Sequence, residues 1–254
     1  MDAGLEVTVA FGGMPVPNVD FGNAVIVQLP PVRASDARFT ALVDADGHTP
    51  GDAWWDERIS TLLDLHARLQ PGIILIEHFP FGRRKFRREL VPLFEQARRK
   101  TDCRIIGSVR DILVESSDPA KTAEAIDIAG TWFDQILVHG DLAVIRLEDS
   151  FPAAAQMADR LSYTGYVVEE RTGQSIPDSD GDGEVIVSAG GGAVGEILFR
   201  TALEARLAGC LADKTWRFLA GRNLDAGVIA DLRRQAPQDV IIEPVRSDFR
   251  ELLA

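Results

Sequence analysis

The chain has 254 residues, 46% of them hydrophobic and 26% charged, with a formal net charge of -12. That length can bury one large α/β core or two modest ones. The negative balance argues against general nucleic-acid binding, because phosphate contacts need an excess of Lys and Arg. No apolar run reaches the ~20 residues of a membrane helix, and the start, Met-Asp-Ala-Gly, lacks a basic-then-apolar secretory pattern. Cys103 and Cys210 are far apart and belong to no paired motif, which suits a reducing compartment. The expected address is the cytoplasm, with peripheral membrane contact left open.

Short β-rich runs alternate with helical stretches, the signature of βα units and a mainly parallel sheet. Residues 5–11, 24–29, 73–78, 104–109 and 135–139 read as strands. They are apolar runs rather than alternating ones, as strands buried on both faces are. Residues 54–69 place Trp55, Ile59, Leu62, Leu63, His66 and Leu69 on one helical face. Asp52 is the expected N-cap, and Gln70-Pro71-Gly72 the stop. His66, Trp54 and Trp55 read as packing residues. Helices are also expected over 83–100, where Pro92 is placed to kink the chain, and over 120–132.

Residues 173–183 are polar and rich in turn formers, so they read as a linker or exposed loop. Asp178, Asp180, Asp182 and Gly183 mimic a calcium loop, but Ala189 stands where the bidentate Glu is required, and no metal is expected. The βα pattern then restarts, with strands at 184–189, 215–220 and 240–243 and helices at 193–208, 225–235 and 247–254. Both ends have an unfinished form: Ala3-Gly4-Leu5 resembles a helix C-cap leading into a strand, and the last helical stretch simply stops.

Three segments carry the candidate chemistry. In 184–195 a strand ending at Ser188 runs into Gly190, Gly191 and Gly192, and Gly195 completes a G-x-G-x-x-G pattern at a helix start. Glycines there let the backbone approach a phosphate, and free N–H groups of the helix start point at it. A tight turn without a ligand is the plainer alternative. No acidic residue follows the next strand, which disfavours NAD; Arg222 keeps a weak NADP reading open. The second segment ends a strand with Glu77 and His78, followed by five cations in the six positions 83–88. Charge at a helix start favours an anion there, although a solvated face would carry the same residues. His78 has the chemistry of a general base and equally that of a hydrogen-bonded structural histidine. The third segment places Arg110 beside Asp111 at another strand end, where a structural ion pair is the commoner meaning. His139-Gly140-Asp141, at a fourth strand end, reads as a turn with a capping Asp.

In order along the chain, 7–17 (VTVAFGGMPVP), 77–83 (EHFPFGR), 108–113 (SVRDIL), 137–141 (LVHGD), 163–167 (YTGYV) and 187–192 (VSAGGG) resemble predicted bacterial glycosyltransferases related to MurG, which are similar to glycosyltransferase family 28 and have the GT-B fold. The resemblance covers nearly the whole chain. It implies two Rossmann-like domains: an acceptor-side domain at 1–170, a linker at 171–183, and a partial nucleotide-sugar domain at 184–254. It further implies transfer of a hexose-type sugar from a nucleoside diphosphate donor, with no cofactor and no metal. Ser188, Gly190, Gly191, Gly192 and Gly195 would hold the donor diphosphate. Arg83, Arg110 and Asp111 would line the acceptor side, with Arg83 toward an anionic group, and Glu77 and His78 would supply the base. Family members carry an additional strand, a loop with Gly and His, and a helix before the segment that opens this chain, and a donor-binding tail beyond 254. A chain cut at both ends is therefore the expectation. The alternatives are a non-catalytic nucleotide-binding module and a GT-B sugar-nucleotide epimerase.

Overall fold

A computed structural model describes residues 4–15, 21–35, 41–100, 102–168, 183–190, 195–221, 224–246 and 248–253. The expected α/β class is met, with parallel strands separated by helices. By its internal contacts the chain divides into one unit of residues 1–33 and 41–169 and another of residues 34–40 and 170–254. Among the described residues no helix is long and apolar enough to cross a membrane.

The first unit opens with a parallel pair, β1 (Thr8–Phe11) and β2 (Val25–Gln28). Helix α1 (Asp52–Leu69) leads to β3 (Ile73–Glu77), α2 (Arg87–Lys100), β4 (Arg104–Arg110), α3 (Pro119–Trp132), β5 (Gln135–His139) and β6 (Leu161–Tyr163). These four strands form one parallel sheet in the order β3-β4-β5-β6. Phe94 and Ala97 of α2 and Ile128 and Ala129 of α3 pack with Ile105, Val109, Ile136 and Val138 from one face of that sheet.

Local chemistry sets the ends of the helices. Asp118 caps α3, its carboxylate accepting from the Ala120 N–H at 3.0 Å, and Pro119 takes the first helical position. Gln70 stops α1 in the left-handed region, with φ 44°. At the other end of α1 the expectation is corrected. Gly51 is the N-cap and Asp52 the first helical residue, where its charge still favours the helix dipole. His66, Trp54 and Trp55 are packing residues as expected: His66 is buried with Nδ1 3.0 Å from Gln96 Nε2, and the two indoles meet edge to face.

Two further readings are revised. The basic run does not continue straight into a helix: Arg83 sits at φ 52°, residues Arg84–Phe86 form a 3-10 turn, and α2 starts only at Arg87. Nor are all the strands covered on both faces. Residues 105–109 of β4 are buried throughout, but β3 alternates. Its Ile74 and Ile76 meet the core, while Ile73 and Leu75 are 57% and 58% exposed. Among the described residues β3 is the outer strand of its sheet, with a hydrogen-bonded neighbour on one side.

One buried ion pair ties this unit together. Arg58 of α1, 3% exposed, is held bidentately by Glu89 of α2, 4% exposed, with Nη2 3.1 Å from Oε1. Its Nη1 donates to the carbonyls of Gly12 and Pro30, just past the ends of β1 and β2. Gly12 is required there, since any Cβ would collide with the guanidinium. Burial pushes the Glu89 carboxyl above the usual range, and Arg58 only partly offsets that cost.

The second unit contains β7 (Val185–Ser188), α4 (Glu196–Ala205), β8 (Trp216–Ala220), α5 (Ala226–Gln235) and β9 (Val240–Pro244), with parallel strand order β9-β8-β7. Asp225 caps α5 by accepting from the N–H groups of Gly227 and Val228 at 2.8 and 3.2 Å. Phe199 of α4 stacks on Phe218 of β8 at 5.4 Å between ring centres. Arg217, beside Phe218 on β8, binds Glu184 at 2.6 Å and Glu243 at 2.7 Å. The last helical stretch is reduced to one turn, Phe249–Leu252. Asp178, Asp180 and Asp182, and with them nearly all of the expected linker, lie outside the described residues.

Candidate functional site

Because β3, β4 and β5 run parallel, their carboxyl ends open along one edge of the first unit's sheet, where ligands of open α/β sheets bind. Register sets Glu77 beside Ser108 and Arg110 beside His139. Glu77, His78, Arg110 and Asp111 therefore share this edge, and Arg83 reaches it through Glu77.

The chain turns sharply after β3. His78 has φ 68°, its N–H donates to the Ser108 carbonyl at 2.8 Å, and its own carbonyl accepts from the Gly82 N–H at 2.8 Å. The Phe79–Pro80 bond between them is cis, and both residues are buried. The imidazole lies so close over Gly82 that a Cβ there would strike it. Left-handed backbone at His78 and Arg83 costs about 1–3 kcal/mol each, a strain that persists only where the surrounding packing enforces it.

The basic run separates into different roles. Arg87 pairs with Glu124 at 2.8 Å and Arg88 with Asp52 at 2.8 Å, so these two tie helices together rather than hold an anion. Arg83 stays at the site, with Nη2 3.3 Å from Glu77 Oε2 and both side chains more than half exposed. The expected Arg110–Asp111 ion pair does not form. Asp111 instead accepts from the Tyr166 hydroxyl at 3.1 Å and packs against Gly140, where a Cβ would collide with it. Arg110 is exposed and free of that carboxylate.

Electrostatics follow from this placement. Burial lowers the His78 pKa below the ordinary histidine value; the nearby Arg83 and Arg110 cations lower it further, and Glu77 offsets only part. Both effects favour the neutral imidazole, which is able to accept a proton or a hydrogen bond. Replacing Arg83 with Ala removes a cation and releases the Glu77 carboxylate, and both changes favour the imidazolium. The His78 titration followed by NMR is expected to move upward in that variant; an unchanged or lower midpoint would contradict the assignment.

His139 has a role that local sequence does not reveal. The turn reading is right for Asp141, whose carboxylate accepts from the Ala143 N–H at 2.8 Å. His139 itself is engaged at both ring nitrogens: Nε2 lies 2.8 Å from Ser108 Oγ and Nδ1 2.8 Å from Thr164 Oγ1. Thr164 follows β6, so three neighbouring strand ends contribute to this chain of side chains.

In the second unit a strand and a helix stand on either side of the glycine-rich segment. Ser188 ends β7 and its Oγ accepts from the Gly190 N–H at 3.3 Å. Gly190 has φ 67° and faces open space, so its conformation, not crowding, calls for glycine. Gly195 is the N-cap of α4, and crowding is what calls for glycine there: a Cβ would stand 2.6 Å from Ala189 Cβ and 3.1 Å from the Phe199 ring. Gly191 and Gly192, and Arg222 of the NADP alternative, lie outside the described residues.

No protein-family profile matches the chain, and no curated protein matches it. Among solved structures it is similar to the "Crystal Structure of TarM", with a TM-score of 0.47 and 8% identity over 86% of this chain. It is also similar to the structure of "the Glycotransferase of kitacinnamycin", with a TM-score of 0.42 and 15% identity over 87% of this chain. The matched regions span 42% and 58% of those two chains.

Proposed function

We propose that this chain forms part of a MurG-like GT-B glycosyltransferase that moves a hexose-type sugar from a nucleoside diphosphate to an acceptor bearing an anionic group. The observation that carries the reading is the placement of chemistry at parallel strand ends. Glu77, His78, Ser108, Arg110 and His139 gather at one such edge, and a glycine-rich segment joins β7 to the start of α4 in the other unit. Strand ends of this kind are where α/β proteins hold ligands, and a helix start preceded by glycine favours a phosphate.

On this reading an acceptor hydroxyl attacks the anomeric carbon of the donor, the bond to the diphosphate breaks, and a base takes the hydroxyl proton. Backbone amides around Ser188, Gly190, Gly191, Gly192 and Gly195 offset charge on the departing diphosphate. Arg83 and Arg110 attract the acceptor's anionic group. Of the two base candidates the neutral His78 is better suited, because Arg83 already engages Glu77. The nucleotide sugar is a substrate, and no cofactor takes part.

Calorimetric titration of UDP, GDP and dTDP against the full-length protein tests the reading. Saturable binding of one nucleotide is the expected result. Absence of binding by all three would remove the proposal.

A further inference from the structure

The Ser108–His139–Thr164 chain lies at the same edge as Glu77 and His78, and counting donors against acceptors favours one direction along it. Ser108 is 8% exposed, and its hydroxyl has the His139 ring as its hydrogen-bond partner. If Nε2 carried the ring proton and donated to Ser108 Oγ, the Ser108 O–H would be left without an acceptor, a loss that buried donors rarely sustain. With the proton on Nδ1, every group is satisfied. Ser108 O–H donates to Nε2 and Nδ1–H donates to Thr164 Oγ1. The Thr164 hydroxyl in turn donates to the Gly165 carbonyl at 2.9 Å. A hydroxyl bound to a bare imidazole nitrogen, with the opposite nitrogen held by a third group, is the arrangement that readies a hydroxyl for proton transfer.

The geometry points to Ser108 and His139 as the proton relay of the sugar-transfer site, with Thr164 holding the imidazole in the working tautomer. This rests on the sugar-transfer reading and moves the proton-accepting role away from His78. His78 has Arg83 and Arg110 set against its protonated form. His139 instead has a hydroxyl on each side of the ring. The step balances as follows. As the acceptor oxygen bonds to the anomeric carbon and the sugar–diphosphate bond breaks, the acceptor's proton passes to Ser108 Oγ. The Ser108 proton passes to His139 Nε2, leaving imidazolium, neutral serine and a diphosphate that carries the bonding pair away. Ser108 touches the acceptor, whereas Thr164 is a positioning residue.

The test begins without substrate. Long-range proton–nitrogen correlation spectra of the full-length protein at neutral pH distinguish the tautomers, and His139→Gln identifies the signal. The expected result is a Nδ1-protonated His139. Ser108→Ala and Thr164→Val are expected to shift it toward the Nε2-protonated form, and Thr164→Ser to restore it. A parent protein with Nε2–H, or with an imidazolium, overturns the relay, as does a tautomer indifferent to Ser108→Ala. In turnover with UDP-glucose, GDP-mannose and dTDP-glucose, Ser108→Ala is expected to lower kcat about 100-fold with KM unchanged, the scale of a general base. Unchanged kcat overturns the relay. Neither binding nor turnover of any nucleotide by the parent would instead remove the sugar-transfer reading, and the relay's catalytic role with it.

Discussion

Replacing Glu89 with Ala is expected to lower the unfolding free energy of the first unit by about 3–5 kcal/mol, the usual cost of leaving a buried charge without its counter-ion. Arg58 would remain 3% exposed, with no carboxylate and only two carbonyls to face. The raised pKa of Glu89 shows that burial outweighs attraction for its charged form. The pair as a whole therefore adds little, although either partner alone is costly. Arg58→Met with Glu89→Leu removes the orphaned charge and should recover at most part of the loss. It should fall short of the parent, because the carbonyls of Gly12 and Pro30 lose their donor, at about 1–3 kcal/mol for each such group. Urea unfolding followed by tryptophan fluorescence reads this directly, since the Arg58 guanidinium lies 5.5 Å from the Trp54 ring. A loss under about 1 kcal/mol, the scale of exposed pairs, would contradict the account.

Gly195→Val is expected to abolish nucleotide binding and to destabilise the second unit by about 1–3 kcal/mol, the range for overpacking a filled site. The added side chain has no room between Ala189 and Phe199, so the start of α4 must move away from the end of β7. Phe199 is 1% exposed and stacked on Phe218, so it cannot yield. Gly190→Ala is the useful contrast. It costs about 1–2 kcal/mol of backbone strain at φ 67° but meets no atom. Calorimetry on both variants separates geometry at the turn from mere loss of folding. Parent-like binding by the valine variant would overturn the proposal that the start of α4 holds a diphosphate.

Much of the fold was legible because its strands are short β-branched runs and its helices carry a clear apolar face; the strand at 135–139 was located to the residue. What was missed depends on the third dimension or on backbone geometry that composition does not encode. A run of cations gives no sign that Arg83 turns left-handed and delays α2 to Arg87. Arg110 and Asp111 read as a pair because they are adjacent, yet β4 ends at Arg110 and the Asp111 carboxylate accepts from the Tyr166 hydroxyl instead. His139 was read as part of a simple turn because its partners lie 31 residues before it and 25 after it. Only strand pairing brings them together. Exposure along β3 was missed for the same reason, since position within a sheet is not written in a strand's own residues.

That bare row on β3 bears on how these 254 residues behave in the tube. Outermost in its sheet among the described residues, and carrying the uncovered Ile73 and Leu75, this strand has the form of a template for strand addition. Two molecules that meet along this margin can zip together while still fully folded. Losses on concentrating the protein would then follow the frequency of collisions rather than the melting temperature. A charged residue at position 75 would protect it better than any mutation that strengthens the core.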